Sequence, residues 1–266
     1  MSAEFDSRFG GIQRLYGTRG IEALRAAHVC VVGIGGVGSW AAEALARSAV
    51  GRITLIDLDD LCITNTNRQI HALTHTVGQS KVAVMAERVR AINPDCRCEV
   101  EEEFVAEDNL VELLDRDYDF VIDAIDGVRA KAAMIAFCRR RKLPIITVGG
   151  AGGQVDPTQI QVADLSRTQH DPLAAKVRSQ LRRFHGFSKN TKRRFDIPCV
   201  FSTEQLVYPQ PDGSVCAQKS VDQEGMRLDC SGGFGASTCV TATFGFVAAA
   251  RVLQKLVERA AREESN

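Results

Sequence analysis

A glycine-rich loop between a short apolar run and a helical pattern constrains this chain more than any other feature. The apolar run spans residues 29–32 and the helical pattern spans residues 39–48. The glycines between them are Gly33, Gly35, Gly36 and Gly38. A strand, a tight turn and a helix in this order bind phosphate, because free backbone N–H groups and the positive end of the helix dipole face the anion. We therefore predict a nucleotide-binding loop.

The individual glycines and the next strand define the predicted nucleotide site further. Gly33 permits the tight turn, and Gly38 lets the helix pack closely on the strand. Gly35 and Gly36 leave no side chain between the backbone and the anion. Asp57 ends the second predicted strand, where a carboxylate accepts hydrogen bonds from ribose hydroxyls. The loop and the acid together predict a bound nucleotide.

Strands and helices alternate through the first half of the chain. Predicted strands span residues 29–32, 52–57, 98–104, 120–124 and 144–148, and predicted helices span residues 39–48, 81–92 and 129–141. Alternation of this kind produces parallel strands joined by right-handed crossovers. We predict an α/β fold with a doubly wound, mostly parallel, Rossmann-like sheet.

The pattern changes after Gln154, where we predict a C-terminal extension of the sheet. A strand at 159–163 is followed by a basic segment and then by extended runs on either side of a Pro-Asp-Gly turn within 204–219. We expect one domain over the whole 266 residues. Its predicted parts are an N-terminal helical arm (1–28), a nucleotide-binding core (29–153) and a substrate-side extension (154–266) that contains a basic insertion (172–195) and a buried C-terminal helix.

Positive charge is concentrated in the predicted insertion, although 33 basic and 33 acidic residues give the whole chain a net charge of zero. Eight Lys or Arg residues and no acid lie between Asp171 and Asp196. Such a run is either a solvated loop or a patch that neutralises RNA phosphates. The candidates for contact with RNA are Lys176, Arg178, Arg182, Arg183, Lys192, Arg193 and Arg194.

The cysteines and the N-terminus indicate a reducing compartment. Nine cysteines are spread along the chain without a Cys-x-x-Cys pair, so we expect neither a structural zinc ion nor a disulfide framework. The first residues, MSAEFDSRFGG, lack the basic and apolar regions of a secretory signal. We expect a cytoplasmic protein in which most thiols are small buried hydrophobic groups.

Residues 231–250 form an uncharged segment of about the length of a membrane span. Its glycines, serines and threonines lower its hydropathy, and small residues at close spacing are equally typical of a helix buried in a tight core or a dimer interface. We expect a buried helix, and membrane association through 231–250 is the alternative.

Polar residues that follow Asp57, the predicted ribose-binding acid, favour ATP over NAD as the bound nucleotide. Asn65, Asn67 and Arg68 follow the second strand, Lys81 begins the next helix, and Asp126 follows the fourth strand. A dehydrogenase needs an apolar slot for nicotinamide and has little use for two cations near the phosphates. A triphosphate with Mg²⁺ needs such cations, and a carboxylate such as Asp126 holds the metal.

These residues resemble the ubiquitin-activating-enzyme superfamily and its bacterial adenylyltransferases of molybdopterin and thiamine synthesis. The similarity covers the loop, the following strand and NTNRQ, and then VGQSKV, INP and DAIDG in the same order. It implies an enzyme that adenylates a carboxylate with ATP and Mg²⁺, and it leaves a bound monovalent cation open.

The resemblance also implies roles for individual residues. Arg14, in RLYG, is similar to the arginine that family dimers supply to the neighbouring subunit's ATP, which implies a homodimer. Asp126 is the implied ligand of Mg²⁺. The implied catalytic residues are Arg14, Arg68, Lys81 and Asp126. The implied nucleotide-binding residues are Gly33, Gly35, Gly36, Gly38, Asp57, Asp59, Asn65, Asn67, Arg68 and Lys81.

Further motifs resemble one branch of this superfamily over nearly the whole chain. They include GGAGGQVDPTQIQVADL, CVFSTE and DCSGGFGAST, and the branch dehydrates threonylcarbamoyladenosine in tRNA. The resemblance implies that the threonyl carboxylate, beside the anticodon, is adenylated and then closed into a ring.

An alternative and two partners follow from the same resemblance. The chain lacks the two zinc-binding Cys-x-x-Cys pairs and the ubiquitin-fold domain of the carrier-protein activators, yet an adenylyltransferase for a ubiquitin-like sulfur carrier stays open as the alternative. Relatives act near a cysteine desulfurase and its sulfur-acceptor protein, which are therefore implied partners. Cys230 is the candidate thiol for a sulfur relay, and a buried structural thiol is the other interpretation.

Overall fold

A seven-stranded sheet is the centre of the protein, which a computed structural model describes for residues 3–210, 212–217 and 234–263. The strands of this sheet are β1 (His28–Val32), β2 (Arg52–Ile56), β3 (Arg97–Glu101), β4 (Phe120–Asp123), β5 (Ile145–Val148), β6 (Ile160–Asp164) and β7 (Pro198–Ser202). Their order across the sheet is β3-β2-β1-β4-β5-β7-β6. A separate two-stranded hairpin consists of β8 (Tyr208–Pro209) and β9 (Val215–Cys216).

The sheet is doubly wound, as the alternation of strands and helices predicted. All neighbouring strands are parallel except β6, which runs antiparallel to β7 at one edge. Strand β1 pairs with β2 on one side and with β4 on the other, so the chain winds outward in both directions from β1. In such sheets the crevice at the carboxyl ends of these central strands is the place where ligands bind.

Seven α-helices cover both faces of the sheet in the described part of the chain. They are α1 (Ala3–Ala26), α2 (Gly38–Arg47), α3 (Lys81–Ile92), α4 (Leu110–Leu114), α5 (Val128–Arg141), α6 (Pro172–Phe184) and α7 (Thr238–Glu263). Alternate residues of β1 enter different cores, because successive side chains of a strand point to opposite faces. Val29 and Val31 pack in the core formed with α2, α3 and α7, whereas Cys30 and Val32 pack in the core formed with α4, α5 and α6.

Helix α6 occupies most of the predicted basic insertion (172–195), for which a solvated loop was one of the two interpretations. Asp171 caps the helix by accepting a hydrogen bond from the N–H of Ala174 at 2.8 Å. Leu173, Val177 and Leu181 are buried against the core that α5 shares. Their spacing is that of one helical face, but the intervening basic residues obscured it in the sequence.

Helix α7 lies where a buried C-terminal helix was expected, but it starts later in the chain. It begins at Thr238 rather than near 231, and residues 231–233 lie outside the described part of the chain. The helix passes the length and hydropathy test for a membrane span, with a mean hydropathy of 1.3, but 56% of that apolar stretch is buried inside the protein. Gly245 allows this burial, because a Cβ there would lie 2.5 Å from the carbonyl oxygen of Val37 at the start of α2.

The N-terminal helix α1 changes direction at Gly17. The backbone there has φ 75° and ψ 171°, which only glycine adopts without strain. Phe5, Phe9 and Ile21 of α1 are buried in a small apolar cluster with Ala49, at the end of α2. The segment around Arg14 is consequently held on the surface of the protein.

Candidate nucleotide-binding site

A cavity of about 1020 Å³ lies at the carboxyl edge of the sheet. The loops that follow β1, β2, β4 and β5 form its walls, and residues 234–236 and Thr241 close it at the amino end of α7. Its position is the crevice where the strand order reverses. The volume is at the upper end of the range for small-molecule sites, which leaves room for a nucleotide and part of a second substrate.

The glycine loop has the geometry that a phosphate site requires. Gly33 has φ 88°, and a Cβ at Gly38 would lie only 1.8 Å from the carbonyl oxygen of Gly33. Gly38 therefore acts through close packing and does not line the cavity. Gly33, Gly35 and Gly36 do line it. Helix α2 begins at Gly38, so the positive end of its dipole faces the same space.

Asp57 joins the glycine loop to the end of β2. Its Oδ2 accepts a hydrogen bond from the N–H of Ile34 at 2.6 Å, and its Oδ1 accepts one from the N–H of Asp59 at 2.9 Å. The carboxylate lines the cavity and keeps further lone pairs for a ligand. Asp57 directly follows β2, as the sequence predicted, and its contact with a ribose stays a prediction.

Arg68 lies directly over the glycine loop. A Cβ at Gly36 would lie 3.2 Å from Cγ of Arg68, so glycine at this position leaves room for the arginine stem. The guanidinium group donates hydrogen bonds of 2.9 Å to the carbonyl oxygen of Thr64 and to Oδ1 of Asn67. Trp40 of α2 donates a hydrogen bond of 3.0 Å to the carbonyl oxygen of Arg68. Helix α2 thus fixes the cation beside the phosphate loop.

Asn67 connects this wall to the C-terminal part of the protein, whereas Asn65 does not reach the cavity. Nδ2 of Asn67 donates a hydrogen bond of 2.9 Å to the carbonyl oxygen of Ala236, and the hydroxyl of Thr238 donates one of 2.5 Å to the carbonyl oxygen of Asn67. Asn65 is buried, and its Oδ1 accepts a hydrogen bond from the N–H of Cys62 at 2.9 Å. The structure gives Asn65 a role in shaping the turn that carries Asn67.

Lys81 and Asp59 form an ion pair in the cavity wall. Nζ of Lys81 lies 2.7 Å from Oδ2 of Asp59, and both residues line the cavity. The lysine side chain is 8% exposed whereas the aspartate side chain is 52% exposed. The ammonium group is therefore fixed at the inner end of the cavity.

Asp126 has the properties of a magnesium ligand. It lines the cavity from the loop after β4, it is exposed, and no described residue forms a hydrogen bond or ion pair with its carboxylate. No group of three or more His, Cys, Asp or Glu that could hold a metal occurs among the described residues. One carboxylate is sufficient for Mg²⁺ when substrate phosphates supply further ligands, so the residues present fit this ion.

A buried polar network behind the cavity escaped sequence reasoning. Lys131 of α5 is 1% exposed; its Nζ lies 2.9 Å from Oδ1 of Asp123 and 2.8 Å from the carbonyl oxygen of Ile125. The hydroxyl of Thr147 donates to Oδ2 of Asp123 at 2.6 Å. The only signal in the sequence was a charged residue within the apolar face of α5. This network fixes the loop that carries Asp126.

A second buried acid, Asp171, supports the cavity wall after β5. Burial raises the pKa of Asp171, and the N–H groups of Ala174 and Gly150 oppose this shift by donating to the carboxylate. Because Gly150 lines the cavity, the acid that caps α6 also holds the cavity wall after β5. A Cβ at Gly149 would lie 1.7 Å from Oδ2 of Asp171, which explains the glycine there.

Other candidate residues lie away from the cavity or outside the described chain. Arg14 is exposed on α1 and does not line the cavity. Of the basic candidates, Lys176, Arg183, Lys192, Arg193 and Arg194 are exposed. Arg178 is half-buried and donates to Thr168, and the guanidinium carbon of Arg182 lies 5.2 Å from the ring centroid of Phe195. Cys230 lies outside the described residues.

Comparison with known proteins identifies the family. Residues 10–266 match the ThiF family, and the chain belongs to it. The chain is 59% identical to the tRNA threonylcarbamoyladenosine dehydratase of Escherichia coli (strain K12), over 99% of this chain and 98% of that protein. It is 53% identical to the Haemophilus influenzae protein of the same name, over 96% of this chain and 95% of that protein.

A solved structure gives the same result for the fold. The E. coli tRNA N6-threonylcarbamoyladenosine dehydratase in complex with ATP matches with a TM-score of 0.88 and 55% identity, over 98% of both chains. The resemblance found in the sequence and the predicted fold class are confirmed. These similarities cover nearly the whole length of both proteins in each comparison, so they include the C-terminal extension as well as the nucleotide-binding core.

Proposed function

We propose that this protein is an ATP-dependent enzyme that dehydrates threonylcarbamoyladenosine in tRNA beside the anticodon. The observation that carries the proposal is the 59% identity over 99% of the chain, and a cavity lined by the predicted phosphate-binding residues supports it. Glycine loop, Arg68, Lys81 and Asp126 all face one space, as a triphosphate requires. We infer tRNA as a substrate from the identity to tRNA threonylcarbamoyladenosine dehydratases, and ATP from the similarity to the E. coli structure in complex with ATP.

The first chemical step is adenylation of the threonyl carboxylate. The carboxylate attacks the α-phosphate of ATP, which forms an acyl adenylate and releases pyrophosphate. The N–H groups at the start of α2, the Arg68 guanidinium and the Lys81 ammonium stabilise the charge that develops on the phosphates. Mg²⁺, held by Asp126, offsets further phosphate charge when it is bound.

The second step is closure of the ring within the substrate. A nucleophilic atom of the carbamoyl group attacks the acyl carbon, and AMP leaves. The reaction is intramolecular, so positioning supplies a high effective concentration and no protein nucleophile is needed.

The proposal is tested by nucleoside mass spectrometry of tRNA that carries threonylcarbamoyladenosine. Incubation with the protein and ATP is expected to lower the mass of this nucleoside by one water, and omission of ATP is expected to leave it unchanged. Asp126→Asn is the inactive control, because it removes the carboxylate charge at the phosphates. If incubation with the wild-type protein and ATP leaves the mass of the nucleoside unchanged, the proposal is wrong.

The carrier-protein alternative has a separate readout. An activator of a ubiquitin-like sulfur carrier would exchange pyrophosphate into ATP only with a carrier protein present, whereas the proposed enzyme requires tRNA. The identity to dehydratases over the whole chain favours tRNA as the second substrate. Exchange that depends on a carrier and is indifferent to tRNA would reverse this preference.

We also propose that the enzyme is a homodimer in which Arg14 reaches the partner's ATP site. Arg14 is exposed and lies outside its own cavity, as a residue that acts across an interface must. Arg14→Ala and Asp126→Asn are each expected to abolish pyrophosphate exchange. Co-expressed, they are expected to restore it, because one cavity of a mixed dimer then has both residues.

A matched pair controls this experiment. Arg68→Ala and Asp126→Asn affect the same cavity of one chain, so a mixed dimer of these two variants has no intact site. Their co-expression is expected to restore nothing. Equal recovery with both pairs, or no recovery with either, would exclude a role for Arg14 across the dimer.

The remaining predictions concern location and partners. We propose a cytoplasmic enzyme, because the proposed substrate is tRNA and the chain is 59% identical to a tRNA threonylcarbamoyladenosine dehydratase. A cysteine desulfurase and its sulfur-acceptor protein are proposed partners, on the basis of the family resemblance alone. If the purified protein binds neither the desulfurase nor the sulfur-acceptor protein, this proposal is wrong.

A further inference from the structure

A cluster of four basic residues ends helix α5, and the proposed chemistry does not use it. Arg139, Arg140, Arg141 and Lys142 are all exposed. Basic residues in the last turn of a helix interact favourably with its dipole, but the gain is below about 1 kcal/mol each and falls off within that turn. Four consecutive cations on one exposed turn repel each other, so dipole stabilisation alone does not account for them.

Aromatic rings join this end of α5 to the end of α6. The guanidinium carbon of Arg139 lies 4.7 Å from the ring centroid of Phe187, and that centroid lies 4.9 Å from the centroid of Phe195. Arg182 of α6 packs over the other ring, 5.2 Å from its centroid. The basic ends of both helices and the loop after α6 therefore belong to one surface.

Neighbouring side chains interact with two of these four cations. Arg141 pairs with Asp115 at 3.0 Å, and Arg139 is placed against Phe187. Among the described residues none forms a hydrogen bond or ion pair with the side chain of Arg140 or of Lys142. We define the basic end surface as the exposed residues Arg140, Lys142, Arg183, Lys189 and Arg193.

The basic end surface lies at a defined distance from the cavity. The first turns of both helices contribute to the cavity wall, through Ala130 of α5 and through Pro172 and Leu173 of α6. Their last turns lie about 20 Å away, because 13 or 14 residues at 1.5 Å each span that length. Lys176 is exposed between the two ends, so positive charge continues from the cavity to this surface.

We propose that the basic end surface binds the phosphate backbone of the stem next to the modified base in tRNA. This inference rests on the proposed function, which places one base of a tRNA loop in the cavity. A stem that leaves the cavity along α5 and α6 would bring its phosphates to cations about 20 Å from that base. Double-stranded RNA is recognised largely through shape and phosphate contacts, which fits a surface of cations without a pocket.

The test replaces the two cations that lack local partners. The variant Arg140→Ser/Lys142→Asn removes two charges, and asparagine suits position 142 because the backbone there is left-handed with φ 56°. We expect weaker binding of full-length tRNA, and a slope of log affinity against log salt that is shallower by about 1 to 2. The KM for ATP and the kcat at saturating tRNA are expected to stay unchanged.

Two further arms keep the inference distinct from the proposed function. Arg97→Glu changes the net charge by the same two units on the edge strand β3 and is expected to leave tRNA binding unchanged. A short hairpin that keeps the loop and few base pairs lacks the proposed contacts, so wild type and variant should bind it equally. Direct binding is measured separately from turnover, so tRNA that binds without dehydration would refute the proposed function alone.

Either of two outcomes overturns the inference. Equal affinity and equal salt slope of wild type and double variant for full-length tRNA would show that these cations do not touch RNA. The surface would then be assigned to an acidic protein partner. Weaker binding of the short hairpin by the same factor would also contradict it, because the effect would not depend on the stem.

Discussion

Arg68→Ala is expected to lower the rate of tRNA-dependent ATP–pyrophosphate exchange by about 10²- to 10³-fold, the usual effect of removing one group that stabilises transition-state charge. The arginine stem lies over Gly36, and Trp40 fixes the backbone of the residue from α2. Its position beside the phosphate loop is therefore rigid. A preorganised cation of this kind stabilises the developing charge on the phosphates without reorganisation.

The expected loss must be separated from damage to the loop. Thr66→Ala is the matched control, because Thr66 is an exposed neighbour on the same turn and its hydroxyl donates only to the carbonyl oxygen of Ile63. This control is expected to keep nearly full activity. Thermal unfolding of both variants reports whether the loop stays folded. Wild-type exchange by a folded Arg68→Ala protein would remove Arg68 from the catalytic set.

Lys131→Met is expected to lower the free energy of unfolding by about 3–5 kcal/mol, the usual cost of removing one partner from a buried ion pair. Asp123 is fully buried and would keep only the Thr147 hydroxyl and weak backbone contacts. Urea denaturation measures the loss. The change is large relative to the total stability of a typical domain.

A second substitution distinguishes the buried charge from the packing of the side chain. Lys131→Met/Asp123→Leu removes both charges, and replacement of a whole buried pair by apolar residues is often neutral. We expect the double variant to regain most of the lost stability. Arg129→Met, at an exposed site on the same helix, is expected to change stability by less than about 0.5 kcal/mol. A Lys131→Met protein as stable as wild type would contradict the assignment.

Local patterns in the sequence predicted the fold and much of the candidate site. The glycine loop and Asp57 were predictable because a strand, a turn and the end of the next strand are close in sequence. Lys81 and Asp126 were predictable because residues at the carboxyl ends of parallel strands meet at one edge of the sheet. These predictions needed no knowledge of long-range packing.

The features that sequence reasoning missed depend on contacts between distant segments. The role of Lys131 becomes visible only when α5 packs beside β4 and places its ammonium group on Asp123. Helix α6 was obscured because its basic residues suggested a loop, and the packing of Arg182 on Phe195 could not be predicted from the sequence. Asn65 was assigned to the phosphates on its position in the motif, whereas its side chain is used within its own turn.

The contacts of Asn67 have a consequence for the order in which the protein acquires its ligand site. This residue is bonded to Ala236 and Thr238, which are 169 and 171 positions further along the chain. Loop-closure entropy makes such distant contacts slow to form. During synthesis on a ribosome, the wall beside the glycine loop therefore stays incomplete until α7 has emerged. A chain that is shortened before this helix would keep the glycine loop but lack part of the cavity wall beside it.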